Sequence, residues 1–265
     1  LEDLQRTAPI GVFDSGVGGI SVLRHLHALL PAEALHYYAD SLHAPYGNKS
    51  PEFIQQRALA ISDFLIGQGA KAIVVACNTA TAAAISLLRE RYSLPVIGME
   101  PAVKPAAAAS KSGVIGVLAT SGTLKSAQFA ALLESYGKGV RVVTQACHGL
   151  VEQIEQGDLA SPLTRGIIAG YVTPLLDAGA DTIVLGCTHY PFVRALIEEV
   201  IGPDITLIDT GVAVARQLQH RLQEKALDSD VTCTGQVNIW TNSRNPDAKD
   251  VILRLWGASA DVCII

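Results

Sequence analysis

The feature that most constrains the fold of this chain is an internal echo. The segment Gly69-Ala70-Lys71-Ala72-Ile73-Val74-Val75-Ala76-Cys77 recurs as Gly179-Ala180-Asp181-Thr182-Ile183-Val184-Leu185-Gly186-Cys187, at an offset of 110 residues. Ile10-Gly11-Val12 is repeated by Ile115-Gly116-Val117 at an offset of 105, and Val96-Ile97 by Leu207-Ile208 at 111. Three landmarks in the same order at nearly one spacing predict two copies of one supersecondary unit. In each copy an apolar run ends on a cysteine.

Short β-branched runs alternate with helix-length amphipathic stretches through the first copy. A strand runs from Pro9 to Phe13 and stops at Asp14-Ser15-Gly16, and a helix follows at about 19–29. A strand over 34–39 leads to a helix that Ser50 caps and Pro51 opens, with Ile54, Ala58, Ile61 and Leu65 on one face. Lys71 to Ala76 is the next strand, followed by an alanine-rich helix to about Arg91 that Asn78 or Thr79 can cap, and then a short strand over 94–98. Near-continuous apolar strands in a βαβα rhythm are what a parallel sheet covered by helices on both faces requires, so the fold class is α/β.

A chain of 265 residues has room for one to two domains at about 150 residues each. The repeat divides it into a first α/β domain of residues 1–98 plus 210–265 and a second of residues 99–209, with crossings near Gly98 and Asp209 that can act as hinges. The tail from Thr210 reads as a helix carrying Val214, Leu218 and Leu222, strand-like Val231 to Thr234 and Val237 to Trp240, and a helix near Pro246 to Leu255. It is too short for a third domain and is expected to complete the first.

Composition removes several function classes. Apolar residues make up 49% and charged residues 17%, which excludes a disordered chain. Twenty basic residues against 25 acidic ones, with no basic block, exclude nucleic acid as the main ligand. No run approaches the roughly 18 apolar residues of a membrane span, and Glu2, Asp3 and Arg6 are unlike a signal peptide, so the expected compartment is the cytoplasm. The five cysteines are odd in number with no C-x-x-C pair, which predicts free thiols rather than disulfides or a zinc knuckle.

Open parallel sheets hold ligands at the C-terminal ends of their strands. Cys77 and Cys187 occupy equivalent strand ends, so two facing copies would set two thiols across one cleft. Each precedes a predicted helix, whose N-terminus lowers a thiol's pKa toward the range useful for proton transfer. A lone cysteine is usually a small packing residue, as expected for Cys147, Cys233 and Cys263; equivalence in the repeat is what sets the other two apart. The loop Phe13-Asp14-Ser15-Gly16-Val17-Gly18-Gly19 sits where a dinucleotide loop would, but Ser21 replaces the third glycine and Asp14 would repel a pyrophosphate. A carboxylate there suits an ammonium ligand, or else Asp14 and Ser15 only cap the helix. The polar loop Tyr38 to Asn48 reads either as a binding loop or as a surface turn.

F-D-S-G-V-G-G at 13–19, A-P-Y-G at 44–47, A-C-N-T-A at 76–80 and G-C-T-H-Y-P at 186–191 together resemble the glutamate racemase family, cofactor-independent enzymes that make D-glutamate for bacterial peptidoglycan. The resemblance covers essentially the whole chain. It implies two domains related by a pseudo-two-fold axis with the active site between them, and Cys77 and Cys187 as the acid-base pair. It further implies substrate contacts at Asp14, Ser15, Pro45, Tyr46, Gly47, Asn78, Thr79, Thr188 and His189, with Asp14 and His189 assisting the nearer thiol. Asp40 and Glu155 match family acidic positions near the site. The chain departs from the family at Cys147-His148, where Cys-Pro is usual. The implied partners are L-glutamate and D-glutamate, with a peptidoglycan precursor as activator in some proteobacterial forms and room for a homodimer; no metal or pyridoxal phosphate is expected. Two other functions fit some of the same residues: an aspartate racemase of the same two-cysteine superfamily, and a non-catalytic nucleotide- or effector-binding module built on the glycine loop.

Overall fold

A computed structural model of the chain describes residues 6–229 and 233–265. Strands β1 (Ile10–Asp14), β2 (Leu35–Ala39), β3 (Ala72–Val75) and β4 (Val96–Ile97) belong to one sheet, and β5 (Val114–Ala119), β6 (Arg141–Ala146), β7 (Thr182–Leu185) and β8 (Thr206–Ile208) form a second. The first runs β2-β1-β3-β4 and the second β6-β5-β7-β8, and every pairing is parallel. The copies therefore share one strand order. Register agrees as well: Gly11 lies opposite Ile73, and Gly116 opposite Ile183.

The tail enlarges the first sheet. Strand β9 (Val237–Thr241) pairs with β2, and β10 (Asp261–Ile264) pairs with β9 to make six strands. Of the strand anticipated over Val231 to Thr234, Val231 and Thr232 lie outside the described residues, and Cys233 and Thr234 are not in a strand. The helices described in full are α1 (Ile20–Leu29), α2 (Pro51–Gly67), α3 (Asn78–Arg91), α4 (Val103–Ala109), α5 (Ser121–Leu124), α6 (Ala127–Tyr136), α7 (Leu150–Glu155), α8 (Pro162–Asp177), α9 (Arg194–Ile201), α10 (Gly211–Glu224) and α11 (Ala248–Trp256). Among the described residues no helix is long and apolar enough to cross a membrane.

Helices on both faces explain the unbroken apolar strands. Along β3, Ala72 and Val74 enter one core cluster while Ile73 and Val75 enter another, so every position is buried. Full burial of the Val and Ile side chains among these is worth about 1.5–3 kcal/mol each. Gly11 and Gly116 let a helix close onto each sheet: an added Cβ would lie 3.0 Å from Leu65 of α2 in the first case and 2.7 Å from Leu175 of α8 in the second. The cluster that takes Ile10 and Val12 also takes Leu118 and Leu185 of the second sheet and Leu150, Val151 and Ile154 of α7, so the two sheets share a core. As expected, Ser50 accepts a hydrogen bond from the Phe53 amide at 3.2 Å to cap α2.

Candidate active site

The C-terminal strand ends of both sheets converge on one narrow, nearly closed cavity. Ser15 comes from the loop after β1, Pro45 and Tyr46 from the loop after β2, and Cys77, Asn78 and Thr79 from the end of β3. The second sheet contributes Thr120 after β5 and Gly186, Cys187, Thr188 and His189 after β7, and α7 contributes Val151. A larger, open hollow of about 790 Å3 lies at the starts of β9 and β10 and includes neither of the paired cysteines.

The two cysteines are buried and held differently. Cys77 adopts an extended conformation (φ −146°, ψ 120°) that makes it the cap of α3, its Sγ accepting from the Ala80 amide at 3.4 Å. Asn78 and Thr79, anticipated as caps, are the first residues inside the helix. Ser15 Oγ lies 3.8 Å from the Cys77 sulfur. Burial pushes the Cys77 thiol well above its ordinary value and the nearby Asp14 carboxylate adds to this, outweighing the lowering expected from the helix terminus, which the Ala80 amide supplies.

Cys187 is followed by a short 3-10 turn, Tyr190–Val193, before α9, so no α-helix begins at this sulfur. Its partner is His189, whose Nδ1 lies 3.7 Å from Sγ. The other ring nitrogen, Nε2, is 2.6 Å from Glu155 Oε1. Gly18 N also approaches Nε2, at 3.2 Å, but the shorter contact is to a carboxylate, which only accepts, so Nε2 carries a proton and Nδ1 faces the sulfur. Burial pulls the imidazole down, but Cys187 and Glu155 outweigh it and hold His189 well above its ordinary value. One thiol thus stands beside an imidazolium and the other is kept protonated.

The glycine loop shows what it binds instead of a phosphate. Val17 N donates to Glu155 Oε1 at 2.7 Å, and Gly19 N donates to Asp14 Oδ2 at 2.7 Å. A Cβ on Gly18 would strike the His189 ring, and one on Gly16 would strike the Glu155 carboxylate. Protein side chains therefore fill the place a pyrophosphate would need.

With this geometry in hand, comparison with known proteins is direct. The family model described as Asp/Glu/Hydantoin racemase matches residues 10–218. The chain belongs to this family. It is 56% identical over 253 residues to the glutamate racemase of Pseudomonas entomophila (strain L48), covering 95% of each chain. Among solved structures it is similar to a glutamate racemase isoform from Bacillus anthracis, with a TM-score of 0.88, 32% identity and 98% of both chains covered. It is also similar to Escherichia coli glutamate racemase in complex with L-glutamate and activator UDP-MurNAc-ala, with a TM-score of 0.86 and 30% identity over 96% of this chain and 97% of that one.

Not every residue singled out from the sequence lines the cavity of this racemase-family chain. Asp14 is fully buried behind it, accepting from Ser15 N at 2.6 Å, Ser15 Oγ at 3.1 Å, Gly19 N and Thr188 Oγ1 at 3.2 Å. Burial pushes its carboxyl up, with the His189 charge opposing. Asp40 also lies behind the cavity, where Arg57 meets it through Nε at 2.9 Å and Nη2 at 2.7 Å and the Tyr46 hydroxyl donates at 2.5 Å. Burial raises the Asp40 carboxyl, but the bonds from Arg57, Tyr46 and His43 outweigh it and hold it below its ordinary value, anchoring the loop that carries Pro45 and Tyr46. Gly47 packs that loop on Thr120, where an added Cβ would come within 2.6 Å.

Asn78 has the clearest opening for a ligand: both its Oδ1 and Nδ2 are buried without a hydrogen-bond partner. Thr79 Oγ1 is held by Thr120 at 2.8 Å and Thr123 at 3.1 Å. Thr120, Val151 and Gly186 line the cavity but escaped sequence reasoning. The 105-residue offset carried the signal for one of them, because it places Thr120 at the position equivalent to Ser15.

Proposed function

We propose that this chain is a glutamate racemase that interconverts L-glutamate and D-glutamate by proton transfer at Cα between Cys77 and Cys187. The observation that carries the proposal is the pair of equivalent strand-end cysteines on one cavity, with His189 3.7 Å from one sulfur only.

A Cα proton is a very weak acid, so inversion needs a base on one face and an acid on the other. In one direction Cys187, as the thiolate paired with the His189 imidazolium, takes the Cα proton and becomes a thiol. Cys77, held as the thiol, gives its proton to the opposite face and becomes the thiolate. The reverse reaction uses the same groups in exchanged roles. The unpartnered Asn78 amide can donate to a substrate carboxylate and accept from an ammonium, with Thr79, Thr188 and Ser15 beside it. Asp14 acts from behind Ser15 and Thr188, favouring the ammonium at that end.

The proposal includes the division into residues 1–98 plus 210–265 and residues 99–209, with closure between them excluding water. It also assigns the product to peptidoglycan synthesis in the cytoplasm. A peptidoglycan precursor as activator is supported by its presence in the Escherichia coli complex. The nucleotide-binding function has little support, since the glycine loop is occupied by Asp14, Glu155 and His189.

The test is circular dichroism of L-glutamate incubated with protein dialysed against EDTA, with L-aspartate in parallel. Decay of the glutamate signal to zero while aspartate persists is expected. Decay of aspartate alone would replace the assignment with an aspartate racemase, and stable signals for both would refute it.

A further inference from the structure

Tyr190 follows the G-C-T-H motif and opens the 3-10 turn behind the cavity, with its amide donating to the Cys187 carbonyl at 3.2 Å. Its side chain is fully buried, and its hydroxyl has no hydrogen-bond partner. A buried hydroxyl without a partner costs about 1–3 kcal/mol and is rare enough to need a reason. This one lies beside the sulfurs of Cys147 and Cys187 without meeting hydrogen-bond geometry to either.

The chemistry of the two sulfurs differs. Burial pushes the Cys147 thiol up to about 12, and its S–H points to the Gln145 carbonyl at 3.6 Å, so it offers only the weak acceptor of a neutral thiol. Cys187 has His189 at hand to balance a negative charge. A thiolate is a far stronger acceptor than a thiol, and hydrogen bonds to charged groups are about twice as strong as neutral ones. The Tyr190 phenol itself is pushed well above its ordinary value by burial, with the two sulfurs adding to it, so it remains a donor.

We propose that Tyr190 is a positioning residue for the proton-transfer step: its orphaned hydroxyl turns to the Cys187 sulfur when that sulfur is a thiolate, favouring the charged base over the thiol. The titratable groups near this sulfur include His189 with Glu155 behind it, Cys77 across the cavity and Cys147. The neutral hydroxyls of Thr188 and Ser15 line the same cavity but already donate to Asp14, at 3.2 Å and 3.1 Å, which leaves Tyr190 as the uncommitted one. The proposal rests on the racemase function above for its catalytic meaning, but not for its test.

The experiment uses the whole protein without glutamate and reads alkylation of Cys187 by iodoacetamide across pH 5–9, by mass spectrometry of the peptide that contains it. The thiolate sulfur forms a C–S bond and iodide leaves, so the rate follows the thiolate fraction. In Tyr190→Phe the rate at pH 7 should fall about tenfold, as expected for loss of a charge-assisted hydrogen bond, and the rise with pH should move to higher pH. Because the enantiomers are equal in energy, kcat/KM should fall by the same factor in both directions. Replacing Tyr190 by a fluorotyrosine, a stronger donor of similar shape, should move the rise to lower pH.

Profiles for both replacements that overlay the wild type would overturn the proposal. Movement in Cys147→Ala without movement in Tyr190→Phe would overturn it too. A wild type that leaves glutamate unchanged while the alkylation shift persists would defeat the racemase function and leave the role of Tyr190 standing.

Discussion

Replacing Glu155 by Gln separates charge from shape at the His189 pair. Glu155 accepts from Val17 N at 2.7 Å, His189 Nε2 at 2.6 Å and, through Oε2, Ser41 Oγ at 2.8 Å. A glutamine oxygen can keep the first two contacts and its amide can donate to the serine, so what is lost is chiefly the negative charge beside the imidazolium. Charged hydrogen bonds are worth about 1.5–3 kcal/mol and neutral ones about 0.5–1.5, a difference of about 1–1.5 kcal/mol. Both groups are largely buried, so solvent and salt screen little of it. His189 is held above its ordinary value in the folded protein, with burial opposing and Cys187 and Glu155 prevailing. The folded state therefore binds this proton more tightly than the unfolded chain. That stabilisation is complete below the unfolded value near 6.5 and is lost as pH rises through the folded value. Urea unfolding should show Glu155→Gln less stable than wild type by about 1–1.5 kcal/mol at pH 6, with the gap closing in alkaline solution. Racemisation followed by circular dichroism should fall about tenfold, because the same energy supports the Cys187 ion pair. A loss of stability equal at both pH values would show that Glu155 acts by packing, and no loss at either would refute the charge argument.

Cys77→Ala and Cys187→Ala should fold normally and lose racemisation by several orders of magnitude, since each leaves one face of Cα without its proton-transfer group, while Cys147→Ala keeps most activity. A dead Cys147→Ala with an active Cys187→Ala, measured by the same dichroism assay, would reverse the pairing. Run from L-glutamate in D2O and stopped early, the reaction should give D-glutamate deuterated at Cα and leave the remaining L-glutamate largely protiated. Mass spectrometry showing protium in the first product would argue for a single polyprotic base. Asp14→Asn should lower turnover and also cost about 1–3 kcal/mol of stability, because its oxygens face the donors Ser15 N and Gly19 N and an amide nitrogen would oppose one of them. Normal kinetics with that stability loss would reduce Asp14 to a structural cap.

The strand frame was legible because burial on both faces leaves an unbroken apolar run, and Gly11 and Gly116 echo each other because each lets a helix close on its sheet. The placement of Cys77 and Cys187 at equivalent strand ends followed from the same repeat. What escaped depends on distance or on local geometry. Nothing in the one-dimensional pattern links Glu155 to Val17, which lie 138 residues apart yet share a hydrogen bond. The capping of α3 by sulfur depends on the dihedral angles at Cys77, whereas composition favours the oxygens of Asn78 and Thr79. Asp14 turns back onto its own loop, a choice set by the amides of Ser15 and Gly19 that the loop presents only once folded. Strand β10 escaped because it is only four residues long and lies exposed at the sheet edge, so its apolar residues Val262, Cys263 and Ile264 show no alternation between a buried and an open face.

The place of β9 and β10 beside β2 has a consequence for how the chain emerges from the ribosome. The four strands of the second sheet lie in unbroken sequence order and are all synthesised by Ile208, whereas the first sheet needs both its earliest strands and β9 and β10, which end at Ile264. At about 5–20 residues per second, the stretch from Ile208 to the end of β10 takes roughly 3–11 s to make. During that interval the second sheet can close while β2 waits with an unpaired edge. A nascent chain stalled there would present one finished cysteine-bearing layer and one open template, so β9 and β10 also act as a seal against pairing with a neighbouring nascent chain.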